Sequence, residues 1–318
     1  MQEQCCDYDN PEALPATEWI QRLQEKGYQG IYQEYEGMKN FTTAGTTEAD
    51  ASNESKNRYT DIKCLDSTRV VLVDGEGKDY IHANFVDGYH QPRAFICTQG
   101  PVKKSIVDFW RMIWQEKVLI ILMTTKCIER DMDKCEQYWP SAPKSCIRYG
   151  KLFVYCTRRM LRSSYVITEL KIRNLSSNEI RYINHFFFLA WPDYGVPKEP
   201  CRLVHLIKVV STVQQFLMKL NFGKKWSGPS HGPPIVIHCS AGVGRTGTYV
   251  AIDICKRRFD ATGKIDIEDC LRKIRKQRPF AVQTPEQYAF IYLAAFGFLI
   301  VCAAAEARTS AAHDSCLS

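Results

Sequence analysis

The chain has 318 residues, 45% of them hydrophobic and 24% charged, which places it among globular chains with ample material for a core. Its net charge of +7 is uneven: residues 1–60 hold 11 acidic and 5 basic side chains, so the remainder carries +13. A basic body suits anionic partners, whereas no basic stripe interleaved with aromatics points to nucleic acid.

Fourteen cysteines are scattered without a Cys-x-x-Cys pair, and a chain this long does not depend on disulfide staples. The first residues lack the apolar run of a secretory signal. Reduced thiols in an intracellular, cytoplasmic chain are the expectation.

In chain order, residues 1–12 read as a polar, acidic start. Helical spacing predicts short helices over 18–30 and 31–38, and 40–55 reads as a polar surface loop. Strand-like runs follow over 70–73, 80–86, 94–98, 118–124, 152–155, 165–172 and 185–190, with a helix over 105–116 among them. After Trp191 the pattern turns helical, over 202–220, 246–258, 265–276 and 284–305. No repeat or low-complexity linker divides the chain. The expected fold class is α/β, a highly twisted mixed β-sheet flanked by α-helices. The run 288–305 carries no charge over 18 residues, marginally enough to span a bilayer. Thr284 as N-cap and Pro285 in the first turn make a good helix start. We read the run as a buried terminal helix, with a membrane tail anchor as the alternative.

The most informative segment is His238-Cys239-Ser240-Ala241-Gly242-Val243-Gly244-Arg245-Thr246-Gly247. It follows a short buried strand over 233–237 and opens a helix. Unpaired amides and the positive end of the helix dipole converge at such a junction, which makes it a phosphate-binding loop. A thiol in that field is expected to ionise easily. A bare Cys-x5-Arg pair arises by accident in a chain this rich in cysteine; the whole decapeptide with its flanks is what is specific.

Other motifs stand apart from it in a fixed order: Lys56-Asn57-Arg58-Tyr59, Thr98-Gln99-Gly100-Pro101, Asp108-Phe109-Trp110-Arg111-Met112, Lys134-Cys135-Glu136-Gln137-Tyr138-Trp139-Pro140, Trp191-Pro192-Asp193-Tyr194-Gly195-Val196-Pro197 and Gln283-Thr284-Pro285-Glu286-Gln287. With them the chain resembles the catalytic domain of the cysteine-dependent, tyrosine-specific protein phosphatases. The resemblance implies an acidic, partly helical N-terminal extension (1–30), a catalytic domain (31–305) and a C-terminal tail (306–318).

It also implies a mechanism of two-step phosphoryl transfer on phosphotyrosine-containing proteins. Cys239 attacks phosphorus as a thiolate. The loop from Ser240 through Ala241, Gly242, Val243 and Gly244 offers its amides to the phosphate oxygens, and Arg245 grips two of them with its planar fork. Asp193 protonates the departing phenol and then serves as base toward water. Gln283 orients that water, with Gln287 in support. Gln287 also fits the far half of a capping box with Thr284. The Thr246 hydroxyl stabilises the departing thiolate. Tyr59 forms an aromatic wall that admits a phosphotyrosine ring, and Asp61 accepts from the substrate backbone. His238 positions the loop and helps lower the thiol pKa, Glu129 pairs with Arg245, and Lys134 contacts the closed acid loop. No metal or cofactor is called for, because Arg245 and the amides supply the positive field.

Two positions depart from the family pattern. His82 stands where an asparagine is usual. Phe280 stands where some members have a small residue that opens a second aryl-phosphate pocket, so no preference for doubly phosphorylated peptides is expected. Three other readings remain: a module that captures phosphotyrosine without turnover, a dual-specificity or lipid phosphatase, and a scaffold using its apolar C-terminal helix. The intact set of catalytic residues favours hydrolysis.

Overall fold

The computed structural model describes residues 6–39, 41 and 44–315, with side chains to Ile300. The chain opens with β1 (Leu14–Pro15), α1 (Ala16–Lys39) and the single turn α2 (Glu48–Ala51). Strands β2 (Arg69–Val71), β3 (Tyr80–Gly88) and β4 (Gln91–Thr98) lead to α3 (Ile106–Gln115) and β5 (Ile120–Met123). A small hairpin, β6 (Ile128–Glu129) and β7 (Met132–Asp133), precedes a meander of β8 (Cys146–Tyr149), β9 (Leu152–Leu161), β10 (Tyr165–Asn174) and β11 (Ile180–Phe188). The last third holds α4 (Pro200–Asn221), β12 (Ile235–His238), α5 (Gly244–Thr262), β13 (Lys264–Ile265), α6 (Ile267–Gln277) and α7 (Pro285–Ser315).

Among the described residues the main sheet runs β2-β3-β4-β12-β5-β11-β10-β9-β8. Its middle is parallel: β12 lies between β4 and β5, and β5 pairs parallel with β11. Its wings are antiparallel. The centre reads as an uninterrupted apolar run because a parallel strand is covered on both faces. Ile235, Val236, Ile237 and His238 are buried without exception. This is the mixed sheet flanked by helices that the sequence predicts. Helix α5 packs on β3, β4 and β12, α4 on β11, and both meet α7, as does α1.

The uncharged run near the C-terminus is a core helix through Leu299. Tyr288, Phe290, Ile291, Tyr292, Ala294, Ala295, Phe298 and Leu299 are buried, while Leu293, Phe296 and Ile300 face outward. The helix continues past the expected end at 305 to Ser315, so most of the expected tail is helical; residues 316–318 lie outside the described residues. Helix α4 is long and apolar enough to cross a membrane by length and composition, but it sets Leu203, Leu206, Ile207, Val210 and Leu217 into the core.

Several elements differ from expectation for local reasons. The two predicted N-terminal helices are one helix broken at Gly27 (φ 55°, ψ −174°) rather than at Gly30; only glycine takes that conformation without strain. The polar stretch 40–55 holds α2, whose Asp50 is buried and accepts from Tyr80 Oη at 3.1 Å and Asn57 Nδ2 at 3.0 Å. Strand β11 begins at Ile180, earlier than its apolar pattern, because it pairs with β10 along its full length. Strand β8 is exposed at three of its four positions, so no alternation marks it.

The N-terminal extension is part of the same body. Leu14 and Pro15 pair with Ile265 and Lys264, Tyr8 is 1% exposed, and Trp19 stacks on Tyr292 at 5.7 Å between centroids. Trp19→Ala removes a buried aromatic and is expected to destabilise the chain by about 3–5 kcal/mol, read as a lower urea midpoint at unchanged m-value.

Candidate active site

In an open α/β sheet the ligand crevice lies beyond the carboxyl ends of the parallel strands. The four parallel strands here deliver the candidate residues to one end. β4 runs into Gln99 and Gly100, β12 into Cys239, β5 into Thr124 through Glu129, and β11 into the Trp191-Pro192-Asp193 loop. The 239–243 loop then feeds straight into α5.

Cys239 is 5% exposed, and Gly242 N donates to its Sγ at 3.2 Å. Gly242 has φ +73°, and a Cβ there would sit 2.1 Å from Thr98 O; both facts demand glycine. A loop that aims its amides inward turns its carbonyls outward, and buried carbonyls need donors. Each one has a donor. Cys239 O takes His238 Nδ1 at 3.1 Å, and Ser240 O takes Gly100 N at 2.8 Å. Ala241 O and Gly242 O take Arg278 Nη2 at 2.9 Å and Nε at 3.1 Å. Val243 O takes Gly247 N at 2.8 Å and Val282 N at 3.1 Å. Gly244 O takes Thr248 Oγ1 at 2.9 Å.

Arg278 is 1% exposed and is the brace the sequence reading missed. Its Nη1 donates to Asn84 Oδ1 at 2.7 Å, and its Nη2 reaches His82 Nδ1 at 3.4 Å. That contact requires a bare Nδ1, so His82 Nε2 carries the proton and donates to Ile62 O at 3.0 Å. Burial, then the Arg278 charge, push the His82 pKa down to about 3. The unusual histidine thus serves as a neutral acceptor behind the loop.

A second buried chain runs behind Cys239. His238 Nδ1 donates to Cys239 O, so its Nε2 accepts from Tyr138 Oη at 2.7 Å. The Tyr138 oxygen then accepts from His185 Nε2 at 2.8 Å, and His185 Nδ1 has no partner. The directions require His238 and Tyr138 to be neutral, and burial pushes the His185 pKa well below the ordinary value. Burial pushes the His238 pKa down to about 4.

Arg245 is gripped by Glu129, with Nη1–Oε1 at 2.7 Å and Nη2–Oε2 at 2.9 Å. Burial alone would raise the Glu129 pKa, but the Arg245 pair outweighs it and the carboxyl stays below its usual range. Nη1 also donates to Thr124 O at 3.0 Å, and Nη2 to Pro192 O at 3.2 Å. The acid loop is therefore drawn onto the loop arginine. Asp193 pairs with Lys126 at 2.8 Å, and Lys126's hydrogen bond and charge hold its carboxyl below the ordinary value. The resemblance expects Lys134 to contact the closed loop that carries Asp193; Lys126 is the lysine paired with Asp193 here. The Lys134 carbonyl accepts from Ser240 Oγ at 3.0 Å. Arg130 stacks over the Tyr194 ring.

The other expected residues gather round the loop. Tyr59 Oη lies 2.8 Å from Ser240 Oγ, and Asp61 is exposed two residues on. Their segment is pinned by Arg58, which donates to Gly100 O at 3.0 Å and Pro101 O at 2.8 Å, and by Gln99, whose Nε2 donates to Lys56 O at 2.7 Å. Gln283 Oε1 would be 2.8 Å from a Cβ on Gly244. Gln283 N donates to Gln287 Oε1 at 2.9 Å, and Gln287 N to Thr284 Oγ1 at 3.2 Å. This segment is strained: Phe280 and Val282 have φ +61°, costly for bulky side chains and typical of functional sites. Phe280 is 39% exposed. The Thr246 hydroxyl is buried without a protein partner.

A family model described as protein-tyrosine phosphatase matches residues 53–296. The chain belongs to the protein-tyrosine phosphatase family. Human tyrosine-protein phosphatase non-receptor type 9 is 43% identical over 293 residues, which cover 91% of this chain and 49% of that protein. Tyrosine-protein phosphatase Lar-like of Caenorhabditis elegans is 38% identical over 289 residues, 88% of this chain and 12% of that protein. Human receptor-type tyrosine-protein phosphatase C is 39% identical over 246 residues, 76% and 18%. The chain thus spans about half the length of its non-receptor relatives. The motif names the cradle but not its braces: Arg278, Asn84, Tyr138 and Lys126 stand outside the decapeptide. The Arg278-Pro279 pair just before the glutamine segment was the available signal.

His82 and His238 are neutral in the folded chain until pH about 3 and 4, whereas an unfolded histidine takes its proton near 6.5. Their stabilising effect is complete above pH 6.5 and declines as pH falls toward 4, each at about 1.4 kcal/mol per pH unit. Urea midpoints measured from pH 7 to 4.5 are expected to fall, and to fall less steeply in His82→Asn.

Proposed function

We propose that the chain hydrolyses phosphotyrosine in proteins through a cysteinyl-phosphate. The observation that carries this reading is the fully braced cradle. Every outward carbonyl from Cys239 to Gly244 has a donor, which leaves the inward amides preorganised for an oxyanion at the mouth of α5.

In the first step the Cys239 sulfur bonds to phosphorus as the phosphorus–phenol oxygen bond breaks, and Asp193 gives its proton to that oxygen. In the second, water attacks phosphorus, the S–P bond breaks, and Asp193 takes the water's proton. Arg245, oriented by Glu129, binds two equatorial oxygens through its Nε–H and, once Pro192 O gives way, an Nη2–H. The buried Thr246 hydroxyl steadies the sulfur, Gln283 places the water, and Gln287 supports it. Tyr59 sets pocket depth, which favours phosphotyrosine over the shorter phosphoserine, and Asp61 holds the peptide. Asp193 must leave Lys126 and be protonated before the first step, so that pair tunes the acid. Cytoplasmic signalling proteins are the substrates this reading implies. Capture without turnover is the alternative, and p-nitrophenyl phosphate hydrolysis separates the two.

Cys239→Ser is expected to abolish turnover of p-nitrophenyl phosphate while phosphate-site binding survives; retained hydrolysis would mean another nucleophile. Asp193→Ala is expected to lower kcat by about 10²–10⁴-fold with little change in KM, and to retain phosphotyrosine proteins in pull-downs. Lys126→Met removes the cation that lowers the Asp193 pKa, so the alkaline limb of the kcat–pH profile is expected to move to higher pH; a shift the other way would remove Lys126 from this role.

A further inference from the structure

Two cysteines outside the cradle meet at the neck of the β6–β7 hairpin. The hairpin pairs Ile128 with Asp133 and Glu129 with Met132. One step further the ladder changes: Cys127 O accepts from both Lys134 N at 2.8 Å and Cys135 N at 3.2 Å. Two successive amides on one carbonyl mark a β-bulge, where two residues oppose one. The Cys135 N–Cys127 O bond at 3.2 Å makes the two residues direct backbone neighbours across the neck, and a disulfide spans Cα atoms about 4.4–6.8 Å apart. At this neck Cys127 Sγ reaches Gln137 Oε1 at 3.9 Å and Cys135 Sγ reaches Glu136 O at 3.2 Å. Cys127 is half-buried and reachable from solvent, while Cys135 is buried behind it.

We propose that Cys127 and Cys135 form a reversible disulfide, a redox-modification site distinct from Cys239, with hydrogen peroxide or another hydroperoxide as the oxidant. The inference goes beyond the hydrolase reading and does not depend on it.

The neighbouring Cys135 thiol holds the Cys127 thiol below its ordinary value, against burial and Glu136 and with help from Arg58. Burial and the Cys127 contact raise Cys135. Cys127 is therefore the attacking sulfur. Its thiolate bonds to one peroxide oxygen, the O–O bond breaks, and hydroxide leaves and takes up a proton as water. Cys127 is then a sulfenic acid. The Cys135 sulfur attacks it, the S–S bond forms, the S–O bond breaks, and the second hydroxide leaves with the Cys135 proton as water. Two thiols lose two electrons and two protons, and one peroxide becomes two waters.

The consequence lies in what the hairpin carries. Glu129 within it holds Arg245, and Arg130 at its tip stacks on Tyr194. Lys126, next to Cys127, pairs with Asp193. The Lys134 carbonyl accepts from Ser240 Oγ, and Gly100 lies so close that a Cβ there would meet Lys134 O at 2.7 Å and Cys135 Cβ at 3.0 Å. A covalent bond at the neck acts on the groups that hold the loop arginine and the acid loop, without touching the nucleophile.

The test uses the full chain carrying Cys239→Ser, which takes the nucleophile out of the redox chemistry. It is treated with a small excess of hydrogen peroxide, blocked with N-ethylmaleimide and digested with trypsin. Cleavage after Lys126, Arg130, Lys134 and Lys144 puts Cys127 on 127–130 and Cys135 on 135–144, so only a disulfide joins the two peptides. The expected result is a linked pair that accounts for most of Cys127, disappears with dithiothreitol, and is absent when Cys127→Ser is added. Recovery of both cysteines as maleimide adducts, over-oxidation of Cys127 to the sulfinic acid, or linkage of Cys127 to a different cysteine would each overturn the proposal. None of these readouts depends on phosphatase activity.

Discussion

The structure turns on the polarity of one loop. Peptide groups are dipoles, so a turn cannot present its N–H groups to an anion without sending its C=O groups the other way. In bulk water those carbonyls would be solvated. Behind Cys239 they are buried, and each unpaired one would cost about 1–3 kcal/mol. The protein meets this demand with Arg278, which spans Ala241 O and Gly242 O, and with Gly100, His238, Gly247, Val282 and Thr248. The buried arginine then needs acceptors of its own, which explains Asn84 Oδ1 and the bare Nδ1 of His82. The chain of requirements runs from an anion site to an arginine to a neutral histidine two layers away.

The same logic arranges the front of the site. Arg245 is useful only if its fork is held in plane, and Glu129 holds it edge-on through both oxygens. That leaves an Nη2 donor for the Pro192 carbonyl, so one guanidinium joins the cradle to the acid loop. Asp193 rests as a carboxylate against Lys126. Its acidity is thus governed by an exposed lysine on a neighbouring segment, where solvent screens the pair and motion can break it.

Much of this was legible in the sequence. The buried strand, the Cys-x5-Arg loop and the helix start form a contiguous signal, and the parallel centre of the sheet follows from apolar runs such as Ile235-Val236-Ile237. The residues that the sequence nominates for the site also gather around one loop, because chemistry restricts their type. The braces were harder. Arg278, Asn84 and Tyr138 are ordinary residue types whose role arises only when distant segments meet, and nothing in local periodicity marks them. Lys126 and Lys134 are eight residues apart on the two sides of one hairpin, and only the direction of each strand decides which faces Asp193. Strand β8 was illegible for another reason: it is an exposed edge, held by backbone pairing with β9 rather than by its side chains.

Helix α1 carries a consequence of a different kind. The family model's match begins at residue 53, yet Tyr35, well before it, donates its hydroxyl to Val282 O at 3.1 Å and lies beneath Arg275, which donates to the same carbonyl at 2.9 Å. Val282 is one of the two strained residues that set Gln283 against the cradle. The segment that the family model covers and the segment that holds Gln283 in place therefore have different edges. A fragment cut at residue 53 would retain every motif residue and lose one of the clamps on its geometry.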